Sequence, residues 1–284
     1  MNKAQLKEII PAIAKKYKFS PRLVEKDYYI TIIMNNLNSG LSSDIVFKGG
    51  TLLNKIYFDH VRLSEDLDFS YITGDDLDTR TKRSRIMKPI KARMPEFLKS
   101  MNLKSPDHDG KAFNESTQYV FQIGYPSVIT DKEEYIKLEI SLRQYPVDKP
   151  VINKVKHFYE DPFTGEQLLP SNGILSLSRN EAVAEKLKAS ITRLDYAIRD
   201  YYDLWKIAES NFDFHNKDFV RLFHAKLKRE QYAGEYKINL GLNEKDILSL
   251  HNQIESALSP VIRADETFSL AKVFGRFNDI MKEV

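Results

Sequence analysis

Cysteine is absent from all 284 residues. Disulfides and thiolate metal sites are therefore excluded, and nothing points to an oxidising compartment. No apolar run approaches the ~20 residues that a membrane span needs. Met1 to Lys7 lacks the apolar core of a signal peptide, so a soluble, cytoplasmic chain without a membrane partner is expected. The six histidines are scattered with no H-x-x-x-H or H-E-x-x-H spacing, which argues against zinc. No G-x-x-x-x-G-K-[ST] loop and no G-x-S-x-G elbow occur, which disfavours a P-loop NTPase and a serine hydrolase. No internal repeat or low-complexity segment is visible. Charge of one sign is also scarce: the net charge is +3 and the pI about 8.7. That mild basicity permits a nucleic-acid partner without requiring one.

What is present is an ordinary globular balance, 42% hydrophobic and 29% charged. Leu6, Ile9, Ile10 and Ile13 repeat at helical spacing, with Pro11 weakening the middle. Ser20-Pro21 reads as a cap followed by proline at the first helical position, starting a helix that runs to Leu37 and ends at Gly40. Ile45 to Lys48 suits a short strand and Thr51 to His60 a helix. Asp66 to Ile72 alternates, with Leu67, Phe69 and Tyr71 on one side and Asp66, Asp68 and Ser70 on the other. Thr79 to Met101 is a basic helical stretch interrupted by Pro89 and Pro95. Tyr119 to Tyr125 and Ile136 to Leu142 alternate as strands, the latter most cleanly. Pro146, Pro150, Pro162 and Pro170 mark turns and short strands. From Ser178 onward, where Ser178 and Glu181 have capping-box spacing, the pattern is helical almost to the end. The expectation is an α+β domain over residues 1–175 and a helical domain over 176–284.

The chemistry concentrates in a few residues. Gly49-Gly50 after a strand allows backbone to approach a ligand, and Thr51 opens a helix whose free amides favour an anion. Asp66 and Asp68 share a strand face, ~7 Å apart at the root. Such a pair suits Mg²⁺, which takes hard oxygen ligands, and two ions held this way serve nucleotidyl transfer. The plain alternatives are a tight turn and a strand with solvated acids. The second fits poorly, because the other face of that strand is strongly apolar. Glu139 is a third acid, on the polar face of the best strand. It would complete the metal site, or take a proton from an acceptor hydroxyl, if that strand adjoins Asp66 and Asp68; otherwise it pairs with a lysine. Lys186 lies beside the buried stripe Val183, Leu187 and Ile191 and reaches phosphates if it is not simply a snorkelling surface lysine. Asp200 and Asp203 are neighbours on one helical face and suit orienting Lys186 or an arginine.

Four blocks in order carry a resemblance: Lys48-Gly49-Gly50-Thr51-Leu52; Arg62-Leu63-Ser64-Glu65-Asp66-Leu67-Asp68-Phe69; Ala184-Glu185-Lys186-Leu187; and Arg199-Asp200-Tyr201-Tyr202-Asp203-Leu204. Together they resemble the AbiEii/AbiGii toxin family, nucleotidyltransferase-like toxins of bacterial toxin–antitoxin and phage-abortive systems. Val24-Glu25-Lys26-Asp27-Tyr28 is similar to the family's N-terminal Glu-Lys-Asp element. The resemblance spans about residues 20–208. It implies a polymerase-beta-type nucleotidyltransferase core with a mixed sheet and a helical C-terminal half. Lys48, Gly49, Gly50, Thr51 and Arg62 would lie with the triphosphate of an NTP, Asp66 and Asp68 with Mg²⁺, and Lys186, Asp200 and Asp203 would be essential. It further implies transfer of nucleotides to the 3′ acceptor end of tRNA, which blocks translation and growth, and a cognate antitoxin. Glu139 as third carboxylate is an inference from the strand pattern, not from the family. Arg221 to Arg229 is a basic helix with a candidate RNA-contacting face by charge alone, the plain alternative being a solvated helix surface. A protein or small-molecule acceptor, or NTP binding without transfer, are the alternatives.

Overall fold

A computed structural model describes residues 2–72, 77–106, 110–143, 145–193, 195–229 and 242–280. Two helices come first, α1 (Lys3–Tyr17) and α2 (Pro21–Gly40). Ser20 caps α2 by accepting from the Leu23 amide, with Pro21 at the first position as expected. Pro11 lies inside α1 without ending it, and α4 (Arg80–Lys99) likewise runs unbroken through Pro89 and Pro95. The expected interruption of α4 is thus overturned. Each proline costs a helical hydrogen bond, but α4 buries Met87, Ile90, Met94, Phe97 and Leu98, and such burial holds a helix beyond its propensity.

The strands are β1 (Ile45–Lys48), β2 (Asp66–Tyr71), β3 (Lys111–Phe113), β4 (Gln118–Pro126), β5 (Glu133–Ser141), β6 (Val151–Lys154) and β7 (Gly173–Ser176). They form one mixed sheet in the order β3-β4-β5-β2-β1-β7-β6. β1 pairs antiparallel with β2, whereas β2–β5 and β1–β7 are parallel. Alternation holds along β5: Ile136, Leu138 and Ile140 are buried while Lys137 and Glu139 are only partly so. The fold is therefore α+β with a mixed sheet.

Helices α5 (Arg179–Thr192), α6 (Ile198–Glu209), α7 (Lys217–Arg229), α8 (Glu244–Gln253) and α9 (Leu270–Ile280) follow. The helical expectation over 230–241 and 281–284 lies outside the described residues. Half of the expected capping box forms: the Ser178 hydroxyl accepts from the Glu181 amide. The Glu181 carboxylate instead accepts from the Val147 and Asp148 amides and meets Lys226, because buried amides and a cation outbid the helix's own N-cap amide. Among the described residues, no helix is long and apolar enough to cross a membrane.

The expected helix over Thr51 to His60 begins earlier and changes pitch. α3 (Gly49–Leu52) passes directly into a π-helical turn, Leu53–Tyr57. Two consecutive polar residues in that turn, Asn54 and Lys55, are both buried and serve different partners. His60 ends the segment at φ 57°, packed edge-on against Phe158. Burial, helped by the Lys55 charge, pushes its imidazole down to about 3. A base with a depressed folded pKa leaves stability unchanged above its unfolded pKa and destabilises the fold increasingly as pH falls from about 6.5 towards 3, where only the unfolded chain takes up the proton. The chain should thus be ~2 kcal/mol less stable at pH 5 than at pH 8 through this residue alone. Urea unfolding at both pH values should show the difference shrink by that amount in His60→Asn, a residue that tolerates positive φ.

Candidate active site

The sheet order decides the geometry of the acids. β2 lies between β1 and β5, so Asp68 stands opposite Lys48 on one side and opposite Glu139 on the other. Asp66, Asp68, Glu139 and Lys137 all line one cleft of about 550 Å³. Burial pushes the Asp68 carboxyl above its ordinary range, with Glu139 and Asp66 adding to the effect and Lys48 opposing it. Glu139 is held by Lys137 at 3.2 Å, and Lys137 is kept charged against its own burial by Glu139, Asp66 and Asp68. Among the described residues, no three acidic or imidazole side chains converge closely enough to enclose one metal ion. The strand adjacency that Glu139 needed is present, and so is the lysine partner that was its plain alternative.

The glycine pair has a steric reason. Gly49 sits at φ +78°, and a Cβ there would stand 2.5 Å from Oδ2 of Asp68. A Cβ on Gly50 would stand 2.7 Å from a guanidinium nitrogen of Arg62. The two glycines thus let one wall's carboxylate and the other wall's cation close on the same backbone turn. Thr51, expected beside the triphosphate, does not line the cleft: it is buried and its hydroxyl donates to the Asp66 carbonyl, tying α3 to β2.

Facing the acids is a chain of alternating charge. Arg62 donates from two nitrogens to the two oxygens of Asp203, at 2.7 and 2.8 Å. Lys186 sits 2.8 Å from both Asp203 and Asp200. Arg193, half exposed, completes the series at 2.6 Å from Asp200. Burial alone would discharge the inner members. Yet Asp200 and Asp203 hold Lys186 above its ordinary value, and Arg62 and Lys186 hold Asp203 well below the usual carboxylate range. Three cations against two carboxylates leave one positive charge in excess, fixed beside the cleft. Arg62, Lys186 and Asp200 line the cleft, whereas Asp203 is buried behind them. Asn54 was not anticipated: its amide donates to Asp203 and to the Gly50 carbonyl, linking this chain to the glycine turn. The only sequence signal was its position four residues after Gly50.

A family profile, nucleotidyl transferase AbiEii toxin of type IV toxin–antitoxin systems, matches residues 32–278. The chain belongs to the AbiEii family. Among solved structures, MenT4, a nucleotidyltransferase toxin from Mycobacterium tuberculosis H37Rv, is similar across 100% of this chain and 90% of its own, with TM-score 0.64 and 16% identity. A putative nucleotidyltransferase from H. pylori matches 93% of this chain and 95% of its own at TM-score 0.51 and 17% identity. JHP933 from Helicobacter pylori matches 93% and 92% at TM-score 0.51 and 16% identity. At such identities the likeness establishes the fold. No curated protein sequence matches the chain. As an AbiEii protein it is a nucleotidyltransferase toxin of a type IV toxin–antitoxin system, and that class implies an antitoxin partner.

In this AbiEii chain the Glu25-Lys26-Asp27 element is a brace. Glu25 accepts from the Ser127 hydroxyl and the Val128 amide. Asp27 is buried against Lys55 at 2.7 Å and also accepts from the Tyr159 hydroxyl. Lys26 reaches Glu65, just before the acid strand, as does Arg199 from the other wall. Several cations of the basic helix α7, the candidate RNA-contacting face, have partners within the chain. Lys226 is buried between Glu181 and Glu185, Arg221 is held by Asp148, and Arg229 donates to the Tyr145 carbonyl while covering the Tyr145 ring at 4.0 Å. These charges bind α7 to α5 and to the segment after β5. Glu185 also lines the cleft; although burial opposes it, Lys226 and Lys48 bring its carboxyl down to about 2.

Proposed function

We propose that this toxin transfers a nucleotide from an NTP to the 3′-hydroxyl at the acceptor end of tRNA, blocking translation and growth in the cytoplasm until a cognate antitoxin restrains it. One observation carries the reading: Asp66 and Asp68 enter a cleft that they share with Lys48 on the neighbouring strand and that Arg62 and Lys186 also line. Acids and cations lining one cleft are what transfer from a triphosphate requires.

The donors on the acid wall are all carboxylate oxygens, and the charge on Asp68 is disfavoured by desolvation, Glu139 and Asp66 more than Lys48 and Lys137 favour it. That set fits Mg²⁺ and offers nothing to a softer metal. Asp66 and Asp68 would hold it, and when bound it supplies charge neutralisation at the phosphates and lowers the pKa of a nearby hydroxyl. Lys48 and the Gly49-Gly50 turn bring positive charge and bare backbone to the triphosphate. Lys186 and Arg62 stay protonated at neutral pH and meet the phosphates as pre-oriented charges, so little reorganisation is needed in the transition state. Asp200 and Asp203 act through them as positioning residues. Glu139, the remaining acid on the wall, takes the proton of the attacking hydroxyl. We divide the chain into a catalytic domain over 1–175 and a helical domain over 176–284 that completes the site, because α5 lines the same cleft as β2.

The test incubates pure protein with Mg²⁺, total tRNA and each α-labelled NTP in turn, alongside tRNA whose 3′ end has been oxidised. Label is expected on intact tRNA only. Label appearing in protein or a small molecule instead would replace the acceptor, and NTP binding without release of pyrophosphate would reduce the site to a sensor.

A further inference from the structure

The sheet carries the acid wall beyond the cleft. β5 lies beside β2, β4 beside β5, and β3 at the edge. Their registers align Asp68, Glu139, Val120 and Lys111 in one transverse row, and Ser70, Ser141, Gln118 and Phe113 in the next. Residues directly opposite on paired strands share a face, so both rows lie on the face that bears Asp68. The other face of β4 is closed: Tyr119, Phe121 and Ile123 are buried, and Lys91 of α4 stands over the Tyr119 ring. On the acid's face Gln118 and Val120 are half-buried, and Lys111 and Phe113 are exposed, Phe113 to 45%. Gln118, Lys137 and Arg143 line the cleft itself, so this surface and the cleft are continuous. At ~4.8 Å per strand, Lys111 lies ~14 Å from Asp68.

We infer that this face is the track on which the single-stranded 3′ end of the acceptor RNA lies. The inference rests on the transfer reading above. Lys137, Arg143 and Lys111 follow its phosphates, Gln118 bonds a base or sugar edge, and Phe113 stacks a base upstream of the reacting hydroxyl. An exposed ring on a cation-bearing surface recognises unpaired bases of any identity, because every base offers a π-face. A duplex end, whose bases stack on one another, has none to offer. Tyr135 is also exposed on this face, but it lies at the other end of β5 and does not line the cleft, so it is off the track.

The probe is an RNA oligonucleotide with an unpaired 3′ tail ending in a 3′-deoxynucleotide, so that binding is read by fluorescence anisotropy without transfer. Phe113→Ala should weaken binding ~10-fold. Lys111→Gln should weaken it and lower the salt slope by about one. Tyr135→Ala should bind as the native chain does, and pairing the tail with a complementary strand should abolish binding. In transfer assays Phe113→Ala should raise KM for tRNA by the same factor, with the rise confined to the acceptor. If Phe113→Ala binds the tail and uses tRNA like the native chain, the track is overturned and the transfer reading stands. Equal losses in Phe113→Ala and Tyr135→Ala would also overturn the track, since any surface aromatic would then serve. Absence of transfer from the native chain to any RNA would overturn both.

Discussion

Asp68→Asn should lose nucleotidyl transfer by ~10³-fold or more while leaving the chain at least as stable as the native one. The two halves of that result have one cause. Asp68 is half-buried where it lines the cleft, and desolvation, Glu139 and Asp66 all disfavour its charge. Such a charge is retained at a cost to folding that a neutral isostere relieves. Asparagine keeps the shape against Gly49 but removes the negative charge the reaction needs. The sign of the pH dependence follows. A carboxyl whose folded pKa is raised destabilises the fold once pH exceeds its unfolded value. The gain in Asp68→Asn should therefore be present at neutral pH and vanish as pH falls below the ordinary aspartate range, where both forms are neutral. Urea unfolding at pH 7 and pH 3, together with incorporation of α-labelled NTP, checks both halves. Full transfer by the variant would sink the two-carboxylate mechanism. A large loss of stability would show that Asp68 serves the fold rather than the reaction.

Asp203→Asn should behave in the opposite way and cost ~3–5 kcal/mol of stability, a fall in Tm of about 10 °C. Asp203 is enclosed and accepts from Arg62, Lys186 and Asn54. Removing its charge leaves two cations buried with only Asp200 to answer them. Its folded pKa is depressed, so its contribution is present above the ordinary aspartate range and is lost as pH falls through and below it. Asp200→Asn should cost much less, because its second partner, Arg193, is half exposed and water can replace the carboxylate. The double variant Asp203→Asn/Arg62→Gln should recover part of the loss, which separates charge imbalance from lost packing. If Asp203→Asn melts with the native chain, the alternating chain is not what holds α6 to the catalytic wall.

The contrast between the two aspartates was only half legible in the sequence. Both appear there as acids in family-like blocks. The alternation of Asp66 to Ile72 showed that Asp68 shares a face with Asp66, because a strand's period is two and its partner face was plainly apolar. The spacing of Asp200 and Asp203 showed that they share a helical face. Nothing in the chain showed that Arg62, 141 residues away, would bond Asp203, since a non-local ion pair leaves no periodic trace. Glu139 joined Asp66 and Asp68 in the candidate site only through the pairing of β5 with β2 in the register that sets it against Asp68. A one-residue slip would have turned it to the core. Basic residues were the least legible. The charge of Arg221 to Arg229 made a candidate RNA face, and charge density does not reveal that Glu181, Glu185 and Asp148 lie beside it on neighbouring elements. Thr51 misled for a smaller reason: a hydroxyl after two glycines suits a phosphate and a neighbouring carbonyl equally well, and only packing selects between them.

By itself, the sequence determined the family, the α+β class and the acid pair, because these rest on local spacing and on motifs that survive in linear order. The tertiary structure alone decided which cations answer which carboxylates, which charges are spent on holding helices together, and how the open sheet face continues from the cleft. Those outcomes depend on strand order and register, which bring distant residues within a few ångströms and which no local pattern encodes.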